Sequence, residues 1–190
     1  MKSKLAMLTL AVSCAFAGNA MALTKEEHKL QKDRIEADYK VNKEKCSALS
    51  ANAKDICQAE AKGAEKVARA ELEAQYKPSP SHDKKIRDAK ADAAYDIAKE
   101  KCDDLAGNAK DVCVKDAKAA RTTAKANAKV DKVAAEGSKD RADNVAEARK
   151  DANAEKNEAQ YKAAKERCDS LSGAAKDTCQ NDAKVRFGMK

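Results

Sequence analysis

The sequence predicts an all-α protein of tandem antiparallel helical hairpins, each closed by one disulfide, with long solvated helices. Three observations carry this prediction. The 190-residue chain is 37% charged and only 3% aromatic, with no Trp. Across residues 23–190 it holds 6 Leu, 4 Ile, 8 Val and 1 Phe, well short of the roughly 20% such residues reach in globular domains. One long motif with two cysteines recurs three times, and helix breakers punctuate the Ala/Lys/Glu/Asp-rich stretches around it. A chain so poor in large side chains cannot offset roughly 1–2 kcal/mol of backbone entropy per ordered residue with one compact core. The composition therefore argues against a conventional enzyme domain around a dry pocket. Extended helix or disorder remains.

Residues 1–22 read as an address. Lys2 and Lys4 precede an uncharged apolar run over residues 5–17, and Ala20-Met21-Ala22 supplies small residues before Leu23. That is the layout of a secretory signal peptide cleaved after Ala22. The run is too short for a spanning helix, which needs about 20 residues. Cys14 offers lipoprotein processing as an alternative, although Ala11 stands where Leu is usual. Cleavage leaves no stretch able to cross a bilayer, so the expected location is periplasmic. The remaining 37 basic and 32 acidic residues give a formal +5. The two signs alternate closely, as on solvated helix faces. A basic stripe with interleaved aromatics is missing, so no nucleic-acid partner is implied.

Without Cys14 six cysteines remain, in three pairs: Cys46 with Cys57, Cys102 with Cys113, and Cys168 with Cys179. Ten residues separate the members of each pair. The shared pattern is Y-x3-K-E-[KR]-C-x2-L-[SA]-[AG]-x-A-K-D-x-C, starting at Tyr39, Tyr95 and Tyr161. An unbroken helix would hold such cysteines about 16 Å apart, whereas a disulfide tolerates about 7 Å between Cα atoms. Either the helix breaks between them or each bonds to another chain. Gly107 and Gly173 favour the break, since glycine is common just past a helix end. Asn52 and Asn108 read as N-caps of the second helices, with Asp55 and Asp111 in their first turns. The third copy has Ala174 in place of that Asn, so its second helix is expected to start less firmly. The alternative is one continuous helix with both cysteines on one face, dimerising through interchain bridges.

As chemistry, the six cysteines read as staples. Thiol exchange favours a close C-x-x-C pair, and zinc would need further ligands. The only histidines, His28 and His82, stand far from every cysteine in sequence. No catalytic, cofactor-binding or metal-ligating residue is predicted, and no cofactor. Tyr95, Ala98, Cys102 and Leu105, like Tyr161, Ala164, Cys168 and Leu171, follow a 3-4-3 spacing. They are expected to form one inward stripe of a helix.

Breakers set the modules. Residues 23–77 form hairpin 1, residues 78–81 a Pro/Ser linker around Pro78 and Pro80, residues 82–136 hairpin 2, and residues 137–190 hairpin 3. The third is lopsided, so residues 138–160 are expected to form a solvated single helix or to fray.

The leader followed by Ala/Lys/Glu/Asp-rich helix resembles the exported, TolA-like helical proteins of Gram-negative bacteria. This resemblance covers residues 24–184 by composition and implies a cell-envelope spacer. The chain differs in its predicted cleavage and its Cys-paired repeats, so no Tol partner and no site residue is carried over. The cysteine repeat is similar to that of small exported proteins of beta-proteobacterial type, which implies no activity. The expected function is non-enzymatic: a structural, spacer or interaction role, with an envelope protein, a cell-wall component or a second copy of the chain as partner. The alternative is a stress protectant, because residues 117–160 resemble late-embryogenesis-abundant proteins.

Overall fold

In the computed structural model, which describes residues 23–190, the breakers divide the chain into six helices. The signal-peptide reading of residues 1–22, Cys14 included, lies outside the described residues. The helices are α1 (Lys25–Lys45), α2 (Ala51–Tyr76), α3 (Pro80–Cys102), α4 (Gly107–Ala135), α5 (Arg141–Cys168) and α6 (Gly173–Phe187). A short 3-10 turn, Cys46–Ala48, follows α1. All regular structure among the described residues is helical, as the composition predicts.

Local chemistry explains the helix ends. Thr24 and Glu27 form a reciprocal capping box: the Glu27 N–H donates to Thr24 Oγ1 at 3.2 Å, and the Thr24 N–H donates to Glu27 Oε2 at 2.9 Å. The Thr24 N–H and the Thr24 hydroxyl, each donating to Glu27 Oε2 at 2.9 Å, hold the Glu27 carboxyl below the usual carboxylate range. Pro80 opens α3, where its missing N–H is harmless, and the Ser79 hydroxyl accepts from the His82 N–H at 3.2 Å. The break around the two prolines therefore spans residues 77–79, two residues shorter at its far side than the predicted 78–81 linker. Gly188, at φ 65°, terminates α6.

The six helices run up and down, each packed only on its neighbours in the chain. The result is a single layer of helices. Because α3 lies against α2 and α5 against α4, the hairpins are not independent modules. This corrects the reading of residues 138–160 as a solvated arm. The arm does extend past its hairpin partner α6, but α4 covers it, and Ala148 and Ala152 are buried there.

The core is a seam of alanines: Ala61, Ala91, Ala93, Ala119, Ala126, Ala128, Ala148, Ala152, Ala163 and Ala183. Leu72 is the one large aliphatic side chain in that core. Small residues bring backbones close, and α2 and α3 meet most tightly at Gly63. A Cβ added there would lie 2.8 Å from the Ala93 Cβ. Ion pairs flank the seam, such as Lys66 with Asp96 at 3.0 Å and Lys90 with Glu71 at 2.8 Å. Asp92 of α3 sits between Arg121 and Lys125 of α4. Partial burial opposes its charge, but hydrogen bonds from Lys125 and Arg121 outweigh this and lower its pKa. Arg121 also stacks over the Tyr95 ring, 5.0 Å from its centroid.

Two outcomes follow from the seam. Gly63→Val should destabilise the protein by about 1–3 kcal/mol through overpacking against Ala93. Ala64→Val, one residue away on the exposed side, should cost only a few tenths; thermal melts followed by circular dichroism compare the two. Asp92→Asn should cost about 1 kcal/mol at pH 7. Because the folded pKa is lowered, this contribution is complete above the unfolded value of about 3.9 and fades as pH falls through the folded one. Wild type and variant should therefore converge in urea melts taken at progressively more acid pH.

Candidate functional site

Each cysteine pair closes its own hairpin turn. The Cα atoms of Cys46 and Cys57 are 5.6 Å apart, and those of Cys102–Cys113 and Cys168–Cys179 are each 5.7 Å apart. The bridges are intrachain, and the continuous-helix alternative with interchain bonds does not hold. Because the helices alternate in direction, all three bridges fall along one edge of the layer. Cys46, Cys102 and Cys168 are fully buried, and their partners are half-buried.

The turn repeats atom by atom. The Leu49, Leu105 and Leu171 N–H groups donate to the carbonyls of Cys46, Cys102 and Cys168 at 3.1, 3.0 and 3.0 Å. The next helix then starts from a left-handed residue, which is Gly107 at φ 55° and Gly173 at φ 56°. In the first copy the same position is Ala51, at φ 48°, a conformation that a Cβ makes costly. Contrary to the expectation that they follow the end of the first helix, these glycines open the second.

Two further expectations are corrected at this edge. Leu105 and Leu171 do not join the inward stripe, and neither does their counterpart Leu49. They sit in the turns, 44%, 43% and 43% exposed, because the chain leaves the helix at cysteine and rotates leucine outward. Nor does Asn52 or Asn108 cap its own helix. Asn52 Nδ2 donates to the Glu100 carbonyl at 2.7 Å, and Asn108 Nδ2 to the Glu166 carbonyl at 2.9 Å. Each asparagine thus ties its hairpin to the last turn of the first helix of the next hairpin. With Ala174 in place of that asparagine, α6 lacks this tie, and α4 and α6 both begin at glycine without a side-chain cap.

Charges reinforce the turns. Lys110 pairs with Asp103 at 3.0 Å and Lys176 with Asp169 at 2.8 Å. The hydrogen bond from Lys176 lowers the Asp169 pKa. The first copy has Ser47 at that position, and its hydroxyl donates to the Glu44 carbonyl instead. Between α4, α5 and α6 a cleft of about 630 Å³ is lined by Ala119, Ala163, Arg167, Cys168, Asp182 and Phe187. Arg167 pairs with Asp116 across it.

The histidines lie at the opposite edge. His28 stacks on Tyr76 with ring centroids 4.5 Å apart, and its Nε2 is 2.9 Å from Glu73 Oε1. His82 Nδ1 lies 2.6 Å from the Lys77 carbonyl oxygen. Among the described residues no group of three or more His, Cys, Asp and Glu side chains converges as metal ligands. No helix among them is long and apolar enough to cross a membrane.

Together these features define a single-layer, disulfide-stapled helical repeat protein. The chain matches no protein-family model, no curated protein and no solved structure.

The turn geometry makes opposite outcomes at equivalent positions. Ala51→Gly should stabilise the first hairpin, and Gly107→Ala should destabilise the second, each by about 1 kcal/mol. Asn108→Ala should cost a similar amount, about 1 kcal/mol, by removing the bond between hairpins and leaving the Glu166 carbonyl with the Asp169 N–H alone. Chemical denaturation of the three oxidised variants beside wild type measures all of these.

Proposed function

We propose that this is a non-enzymatic, exported (periplasmic) helical repeat protein with a structural, spacer or interaction role in the cell envelope. The observation that carries the reading is the row of three intrachain disulfides along one edge of the layer. Such bonds form and persist in oxidising compartments, which agrees with the signal-like pattern of residues 1–22. The layer itself suits a spacer. Its tallest helix, α4, has 29 residues, about 43 Å at 1.5 Å per residue. Neighbouring helices at 8–10 Å spacing give a slab one helix thick with two broad charged faces. Such a slab offers area and reach rather than an enclosed pocket, and an envelope protein or cell-wall component is its natural partner. The alanine seam running through residues 117–160 supports this reading over that of a protectant that stays unfolded until dried.

Two measurements test the proposal. Expressed with residues 1–22 in a Gram-negative host, the protein should appear in the osmotic-shock fluid starting at Leu23, with all six remaining cysteines oxidised. Recovery in the cytoplasm with free thiols would remove the export reading. Deleting the gene should make the envelope more sensitive to detergent, and wild type but not a six-Cys→Ser chain should restore it. An unchanged envelope with poorer survival of drying would instead favour the protectant.

A further inference from the structure

The repeats show what an unpartnered face of this protein is built to do. Counting back from the first cysteine of each copy, α3 places Ile86, Ala93 and Ile97 at the positions where α5 has Ala152, Ala159 and Ala163. These residues lie on the side of each helix that packs against the preceding one. Ala93 meets Gly63 of α2, and Ala152 and Ala163 are buried. In α1 the same three positions hold Leu30, Ala37 and Val41. No helix precedes α1 among the described residues, and Leu30 and Val41 are 68% and 52% exposed. The face thus carries a helix-docking stripe without its helix.

We infer that this face binds the same face of a second copy, α1 against α1, antiparallel about a two-fold axis. The charges beside the stripe are self-complementary in that arrangement. Setting Leu30 against Val41 of the second copy also brings Arg34 beside Asp38 of the second copy, and the two-fold axis repeats both contacts. Arg34 occupies the position of Lys90, which in α3 reaches across to Glu71 of the docked helix. The acidic first turn of α1, Glu26 and Glu27, then lies opposite a last turn that holds Lys43, Glu44 and Lys45, net basic by one charge. The inward side of α1 is committed elsewhere, with Glu36 directed to Arg69 of α2 at 3.9 Å.

A head-to-tail contact with the outer face of α6 is the competing arrangement, and it fits less well. Ala174 and Val185 of α6 stand where α2 has Asn52 and Gly63. The inter-hairpin hydrogen bond would therefore be lost, and Val185 would occupy the point of closest approach. The Glu44 carbonyl, equivalent to that of Glu100, already accepts from Ser47 at 2.6 Å.

Sedimentation equilibrium of the purified protein with its disulfides intact, from about 1 µM to about 500 µM, tests the inference within the affinity range of small interfaces. Wild type should form a dimer and stop there. Val41→Glu should weaken it by tenfold or more, roughly the effect of losing a central apolar contact, with an unchanged circular dichroism spectrum. Arg34→Asp alone should also weaken it by placing acid against acid, and adding Asp38→Arg should restore the wild-type constant. The reversal pair makes the result specific to the antiparallel alignment. A monomer at every concentration would overturn the inference, as would a dimer indifferent to Val41→Glu. So would a double reversal that fails to restore the dimer, or larger assemblies that Val185→Glu dissociates. Each of these readings is independent of where in the cell the protein resides.

Discussion

The structure depends on a covalent constraint at each hairpin turn. A disulfide holds the two helices with Cα atoms 5.6–5.7 Å apart at one end, and alanine packing continues from there. Burying a large aliphatic side chain stabilises a fold by about 1.5–3 kcal/mol, and the alanine seam has only Leu72 of that kind. An alanine contributes a fraction of that. In the chain-entropy view, a bridge closing a loop of this length contributes roughly 3 kcal/mol by restricting the unfolded chain. Three bridges thus replace what a conventional core would have supplied.

The same constraint shapes the architecture. Small side chains let each helix approach a neighbour closely, but they reach too short a distance to gather several helices around one centre. A layer follows instead of a bundle. The bridges alone would yield three separate hairpins. Continuity comes from the contacts between hairpins: Gly63 against Ala93, Asp92 between Arg121 and Lys125, and the asparagines bonded to the next hairpin. The function proposed here rests on that continuity, because a spacer or scaffold must transmit its geometry along its whole width. Among the described residues, the outer face of α1 is where the pattern of docking stripes stays open.

Much of this was legible from spacing and composition. Ten residues between paired cysteines, with glycine between them in two of the three copies, implied a turn and an intrachain bridge, and the helical class followed from the scarcity of large residues. The misreadings share a cause. Periodicity tells which residues share a face of a helix but not which neighbour that face meets. Residues 138–160 looked solvated because they extend past their hairpin partner, yet alanine suffices where α4 lies close. Asn108 looked like a cap because it precedes an acid by three residues. Its true acceptor, the Glu166 carbonyl, belongs to the next repeat and leaves no mark in local sequence. Leu105 fitted the helical stripe on paper, but the helix ends at Cys102. One available signal was the pattern of asparagine itself, present in two copies and replaced by Ala174 in the third.

The seam joins the hairpins into a layer, and the bridges supply the stability that the seam lacks. Calorimetric melting of the oxidised protein beside the same protein kept reduced addresses this directly. For a chain of this size each kcal/mol corresponds to roughly 2–4 °C in Tm, so losing three bridges of about 3 kcal/mol each should lower Tm by about 20 °C or more and abolish most helix at 37 °C. Superimposable melts of the two forms would contradict the account, since they would show that alanine packing suffices on its own.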